Sequence, residues 1–226
     1  MGDRTAKNAL FVGFAEVAKA LASGRRAELL DVLAQGERHV DELAAEIGQS
    51  VANTSFHLRT LAGAGLVTTR RDGTRIHYRL ASDRVADLWA ALRDVAAAHH
   101  RNLDELASAY LGDRDDLEQV SREELIRRLD DGDIVVIDVR PTPEYRSGHI
   151  VGARSVPPDE LDRHLAHLLA DLPPDAEIIA YCRGPYCAFT DDAVRALHAH
   201  GRAARRLDDG FPEWRNAGLP TANAPT

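Results

Sequence analysis

No apolar run in the sequence approaches the ~20 residues that cross a membrane, so a membrane-spanning role is not expected. Cysteine is scarce: Cys182 and Cys187 are the only two in 226 residues. That excludes the disulfide framework of a small secreted domain. Lying five residues apart in one short segment, they read as chemistry rather than as a staple. The opening stretch, MGDRTAKNALFVGF, has a short apolar run and no cleavage-like site. It is a poor secretory signal, and a cytoplasmic location is expected. Internal repeats and low-complexity tracts are also missing, which argues against repeat architectures and disordered tails.

Net basic charge is missing too, since the formal net charge is −8. The excess is uneven. Residues 1–111 carry 14 Lys/Arg and 14 Asp/Glu, whereas residues 112–226 carry 14 Arg and 22 Asp/Glu. Between His57 and Arg79 five arginines stand against one acid, Asp72. A neutral half with a local basic stretch permits contact with nucleic acid, and an acidic half does not encourage it.

What is present suits two soluble domains: 226 residues, 44% of them hydrophobic and 28% charged. Hydrophobic spacing predicts helices over residues 10–21, 25–33, 40–47 and 50–62, with Gly36, Gly48, Gly63 and Gly65 as stops. Residues 66–71 alternate like a strand, Asp72-Gly73 is a two-residue hairpin signal, and residues 74–80 form the return strand. A single long helix is expected from Ser82 or Asp83 to Leu111. The charged stretch 112–116 then breaks the pattern. Beyond it come a helix over 121–129, opened by a Ser121/Glu124 capping box, and a buried strand over 134–139. A helix over 159–169, a buried strand over 177–181 and a helix over 188–200 follow. A short strand at 203–207 and a last turn at 211–216 complete the pattern. The expected domains are therefore 1–111 and 121–226, joined by a linker at 112–120.

In the first half, two helices joined by Gly48-Gln49-Ser50 and followed by a hairpin have the order of a winged helix-turn-helix. The second helix would lie in the major groove. Val51, Leu58 and Leu61 are expected to face the core. Asn53, Phe56, Arg59 and Thr60 face outward, with Ser55 and His57 at the margins. Asn and Arg carry the forked donors and acceptors that read adenine and guanine edges. Arg70, Arg71 and Arg75 flank the hairpin tip, where a wing meets phosphates or a minor groove.

The stretch from Ala15 to Ala81, above all HLRTLAGAGLV and DGTRIHYRL, resembles the ArsR/SmtB family of dimeric bacterial repressors. The resemblance covers roughly residues 10–100. It implies a homodimer through the first and last helices and double-stranded operator DNA as partner. It also implies base contacts at Ser55 and its neighbours. The family's metal sites do not carry over. The helix at 40–47 has no cysteine, and Asp83, Asp87, His99, His100 and Glu105 lack the spaced His pairs of a zinc site. No metal and no cofactor is expected.

In the second half three motifs stand in order: DVRPTPEYRSGHIVGARSVP, YCRGPYCAFT and GFPEWRNAGLP. Together they resemble the rhodanese fold, an α/β, doubly wound parallel sheet whose members move sulfane sulfur through a cysteine persulfide. Cys182 ends a buried parallel strand, where open α/β sheets hold their ligands. The tight loop Arg183, Gly184, Pro185, Tyr186, Cys187 precedes a helix. Its amides and the helix dipole would stabilise a thiolate, a persulfide or a thiosulfate anion. Asp138 and Arg140 are expected to brace this site, and Phe211 and Trp214 to lie in the core. Many rhodanese loops end in arginine or lysine where Cys187 stands. That departure weakens the expectation of thiosulfate turnover and offers a second thiol, able to resolve an oxidised or persulfidated Cys182. Ala188 removes the arginine that the related phosphatases need.

The combined expectation is a transcriptional regulator that senses sulfane sulfur or redox state through Cys182. The donor would be thiosulfate, a persulfide or a polysulfide. The alternatives are a thiosulfate-type sulfurtransferase with an autoregulatory DNA-binding domain and, more weakly, an arsenite sensor using both cysteines.

Overall fold

The computed structural model describes residues 2–132, 134–159 and 161–223. The chain divides into two compact units, Met1–Arg93 and Asp94–Thr226.

The first unit comprises α1 (Arg4–Leu21), α2 (Gly24–Ala34), β1 (Arg38–His39), α3 (Val40–Glu46), α4 (Val51–Gly63), β2 (Val67–Asp72) and β3 (Arg75–Leu80). It also holds most of α5 (Asp83–His99), which runs on into the second unit. Its core is aliphatic: Leu29, Leu30, Leu43, Ile47, Leu58 and Leu61 are all buried. Each fully buried side chain of this kind contributes about 1.5–3 kcal/mol. The strands form an antiparallel sheet in the order β1-β3-β2. Asp72 pairs with Arg75 across the hairpin tip. There Gly73 adopts φ +60°, a conformation that glycine takes at no steric cost.

The second unit comprises α6 (Leu103–Leu111), β4 (Gln119–Val120), α7 (Arg122–Asp131), β5 (Ile134–Asp138), α8 (Thr142–Ser147), β6 (His149–Ile150) and β7 (Arg154–Ser155). It continues with α9 (Leu161–Ala170), β8 (Glu177–Tyr181), α10 (Ala188–Ala199), β9 (Ala204–Leu207), α11 (Phe211–Asn216) and β10 (Thr221–Ala222). Five strands form a wholly parallel sheet in the order β4-β9-β8-β5-β7. The two-residue alternation of β8 splits the core into two layers. Ile178, Ala180 and Cys182 pack with Leu165, Val194 and Leu197 of α9 and α10. Ile179 and Tyr181 pack on the other face with Leu125, Phe211 and Trp214.

Two expectations are corrected. The long helix from residue 83 to 111 is two helices, with His100, Arg101 and Asn102 between α5 and α6. Asn102 stands at the N-cap of α6 and Asp104 and Glu105 fill its first turn, an acidic start that suits the helix dipole. On α4, Val51 is 44% exposed, and the core stripe is Thr54, Leu58 and Leu61. Thr54 tolerates burial because its hydroxyl donates to the Ser50 carbonyl at 3.0 Å. The stretch 112–120 contributes the buried Leu117 and strand β4 to the second unit. Glu160, inside the helix expected from Asp159, lies outside the described residues.

Candidate functional site

Cys182 follows the last residue of β8, at the carboxyl edge of the parallel sheet, and is 1% exposed. Cys187 is the N-cap of the 12-residue α10 and is half-buried. A disulfide joins the two, with Cα atoms 6.3 Å apart. Between them the chain makes a turn closed by the Cys187 N–H donating to the Gly184 carbonyl at 3.2 Å. The amides of Gly184 and Tyr186 bond no other group among the described residues. Unpaired amides in a turn that leads into a helix suit an anionic group.

The loop is held from several sides. The Cys182 carbonyl accepts from the Phe211 N–H at 2.9 Å. Gly210, just before it, lies so close that a Cβ there would overlap the backbone of Arg183 and Gly184. The Arg183 side chain reaches Glu144 and Phe189. Its Nε donates to Glu144, which is fully buried, at 3.0 and 3.1 Å, and its guanidinium lies over the Phe189 ring. The Pro185 carbonyl accepts from Arg114 at 2.9 Å and from Arg206 at 3.1 Å.

Asp138 and Arg140 form a fully buried ion pair at 2.6 Å. Burial works against the Arg140 charge, but Asp138 outweighs it, and the guanidinium pKa is raised. Arg140 also donates to the Gly148 carbonyl and lies 4.1 Å over the Phe211 ring. The Tyr181 hydroxyl donates to Asp138 at 2.6 Å and accepts from the Ile150 N–H at 3.0 Å. Burial, with the Asp138 charge beside it, raises the Tyr181 pKa well above its ordinary value. These groups support the loop through Tyr181 and Phe211. Glu144, Arg114, Asp191, Arg206 and Gly210 escaped the sequence reading. The signal available for Arg206 is a charged residue inside the short strand Ala204–Leu207.

In the first unit, Asn53, Phe56 and Arg59 are exposed on α4, and Ser55 is half-buried beside them. The Ser50 hydroxyl caps the helix by accepting from the Asn53 N–H. Arg71 and Arg75 are exposed near the hairpin tip. Arg70 is committed elsewhere, with its guanidinium on Glu37 at 2.5 Å and on Asp72 at 3.4 Å. The hydrogen bond from Arg70 holds the Glu37 carboxyl below its usual range.

Fold and site together define a class: a winged helix-turn-helix unit followed by a rhodanese-like unit with a two-cysteine loop. Family models agree, with residues 23–69 matching the bacterial regulatory protein, arsR family, and residues 121–217 the rhodanese-like domain. The chain is 46% identical over 219 residues to the HTH-type transcriptional regulator Rv0324 of Mycobacterium tuberculosis, covering 97% of this chain and 94% of that protein. It belongs to the arsR family of bacterial regulatory proteins, in a form that carries a C-terminal rhodanese-like domain. Solved structures resemble each half. One is the homodimeric winged helix-turn-helix DNA-binding domain of a possible ArsR-family regulator from Mycobacterium bovis, 46% identical, covering 44% of this chain and 90% of that one, with a TM-score of 0.41. The other is a rhodanese-like domain from Anabaena, 28% identical, covering 47% of this chain and 79% of that one, with a TM-score of 0.41. Among the described residues no helix is long and apolar enough to cross a membrane.

Proposed function

We propose that this protein is a cytoplasmic, homodimeric, DNA-binding transcriptional regulator that registers sulfane sulfur through Cys182, with Cys187 as the resolving thiol. The observation that carries the reading is the bond between these two sulfurs, at the strand end and helix N-cap where a rhodanese-like unit would hold a persulfide. The only other place for sensing chemistry, the first unit, has no cysteine.

The chemistry closes without a metal. The Cys182 thiolate attacks the outer sulfur of a persulfide, RSSH, giving a Cys182 persulfide and RS⁻. The Cys187 thiolate then attacks the inner sulfur, which belongs to Cys182, and expels HS⁻. The product is the Cys182–Cys187 disulfide, and a dithiol reduces it back. The unpaired Gly184 and Tyr186 amides and the α10 dipole would stabilise the Cys182 thiolate and hold the anionic intermediate. Asp138 and Arg140 keep the loop in shape. Asn53, Ser55, Phe56 and Arg59 would read bases, with Arg71 and Arg75 on phosphates.

The test is operator affinity for the thiol, persulfidated and disulfide forms, with Cys182→Ser as control. Affinities that differ among the forms, and not in Cys182→Ser, are expected. Equal affinities in all three forms would overturn the sensor. The same unpaired amides favour a second reading, a sulfurtransferase. Under it, Cys187→Ser should turn over thiosulfate and a thiol acceptor faster than the wild type, because no internal thiol intercepts the persulfide.

A further inference from the structure

Behind the cysteine loop lies a buried polar cluster that the persulfide chemistry does not use. Arg114 stands three residues past the end of α6 and donates through Nε to Asp191 at 2.5 Å. Asp191 belongs to the first turn of α10 and is buried, and so is Arg206 on β9. Arg114 and Arg206 converge on one acceptor, the Pro185 carbonyl at the crest of the loop. Two guanidiniums thus share one carboxylate and one carbonyl.

We propose that Arg114, Asp191 and Arg206 form a latch that transmits the thiol–disulfide state of the Cys182–Cys187 loop to the segment leading out of α6. The inference rests on the sensor reading above.

Three observations support it. First, the cluster has a second arrangement close at hand. Asp191 Oδ1 accepts no hydrogen bond and Arg206 Nε donates none among the described residues, yet they lie 3.7 Å apart. A shift of about an ångström would move the carboxylate from Arg114 onto Arg206. Packed polar clusters of this kind change between discrete arrangements rather than deform smoothly. Burial, and then the Arg114 charge beside it, lower the Arg206 pKa, so Arg206 gains from a closer carboxylate.

Second, the cluster touches both ends of the redox unit. Asp191 sits four residues into the helix that Cys187 caps, and Pro185 lies between the two cysteines. Reduction by a dithiol breaks the sulfur–sulfur bond, adds two electrons and two protons to Cys182 and Cys187, and leaves the reductant as its own disulfide. The covalent tie between strand end and helix N-cap is then gone. The turn that presents the Pro185 carbonyl is free to relax, and Arg114 loses a partner.

Third, the other side of the latch is anchored. The Asp113 carbonyl accepts from Arg195 of α10 at 2.6 Å, and Leu117 is buried in the same core layer as Cys182. The segment from Gly112 to Leu117 is therefore fixed at both sides of Arg114, and a change in the cluster passes along the chain to α6. From α6 a three-residue turn leads to α5, whose first half packs Val85 and Trp89 against the core of the first unit.

The test uses the full chain and a short operator duplex. The midpoint potential of the Cys182–Cys187 couple is measured with and without DNA, beside operator affinity in the thiol and disulfide forms. By linkage the two readouts must agree. Wild type is expected to show an affinity ratio of about 5- to 150-fold. That corresponds to a DNA-induced shift of about 20–65 mV, at about 30 mV per tenfold for a two-electron couple. Arg114→Gln should bind DNA with the same affinity in both states and show no shift. Arg114→Lys, which keeps the charge on Asp191 but loses the second bond, should recover part of the ratio. Arg114→Lys also serves if Arg114→Gln does not fold: a full wild-type ratio in it would overturn the latch. A wild-type ratio retained by a folded Arg114→Gln would overturn the latch and leave the sensor standing. No ratio in the wild type itself would overturn both.

Discussion

At the scale of the residue, a cation counts for DNA only if its charge is not already spent. Arg70, Arg71 and Arg75 look alike in the sequence, but Arg70 lies on Glu37, 33 residues away. Nothing local in the sequence announces that pair. Its consequence is a testable split. Each phosphate contact adds about 0.9 to the slope of log affinity against log salt. Arg71→Ala and Arg75→Ala should each lower the slope by about one, and Arg70→Ala should leave it nearly unchanged. Glu37→Gln should release Arg70 and raise the slope by about one. The pair also sets a sign for pH. The hydrogen bond from Arg70 lowers the Glu37 carboxyl pKa from its ordinary value of about 4.5. Its contribution is fully present above about pH 4.5 and is lost as pH falls through the lowered value. Acid should therefore loosen the wing base in wild type and not in Glu37→Gln, read by chemical shifts of His77 and Arg70.

Elements were legible where a periodic pattern met clear punctuation. Strands β5 and β8 are built on the apolar runs 134–137 and 178–181, the wing tip is Asp72-Gly73, and Ser121 opens α7 by accepting from the Glu124 N–H at 3.2 Å. The break at 100–102 was not legible, because apolar residues keep helical spacing on both sides of it. The loop's surroundings were legible only in part. Cys182 at the end of β8 follows from the pattern. The Glu144–Arg183 pair and the Arg114 cluster join residues 39 and 77 positions apart, which local patterning cannot reveal. Gly210 is another such case, since only the fold brings its backbone against that of Arg183 and Gly184. Neither partner is a flexible side-chain tip that can swing away. Gly210→Ala should therefore cost about 1–3 kcal/mol, as overpacking in a tight core does, read by urea denaturation of the disulfide form. It should also displace the loop enough to expose Cys182. Reduced Gly210→Ala is expected to react faster with iodoacetamide at Cys182 than reduced wild type. Unchanged stability together with unchanged labelling would show that the loop does not depend on this close approach.

At the scale of the whole molecule, most of the exposed large apolar side chains among the described residues lie on helices, and two groups stand out. Leu10, Phe11, Val12 and Phe14 on α1 are exposed, as are Leu88, Leu92 and Val95 on α5. Exposed apolar side chains grouped on a helix in this way suit a site of association. A two-fold interface made by these faces would pair one protomer's α1 and α5 with those of its partner. It would also fix the two copies of α4 at a set spacing. The operator should then be an inverted repeat with half-site centres about 10 bp apart, or a multiple of that. The decisive variants put a charge into the apolar faces and leave the DNA-reading residues alone. Phe14→Glu and Leu92→Glu should each shift the protein from dimer to monomer at micromolar concentration, read by sedimentation. Both should keep the wild-type circular dichroism spectrum, because neither residue is part of the buried core. Loss of the dimer should weaken operator binding far more than it weakens binding to an isolated half-site, since only a dimer engages both half-sites at once. A wild-type chain that sediments as a monomer, or a Leu92→Glu monomer with undiminished operator affinity, would overturn the two-fold arrangement.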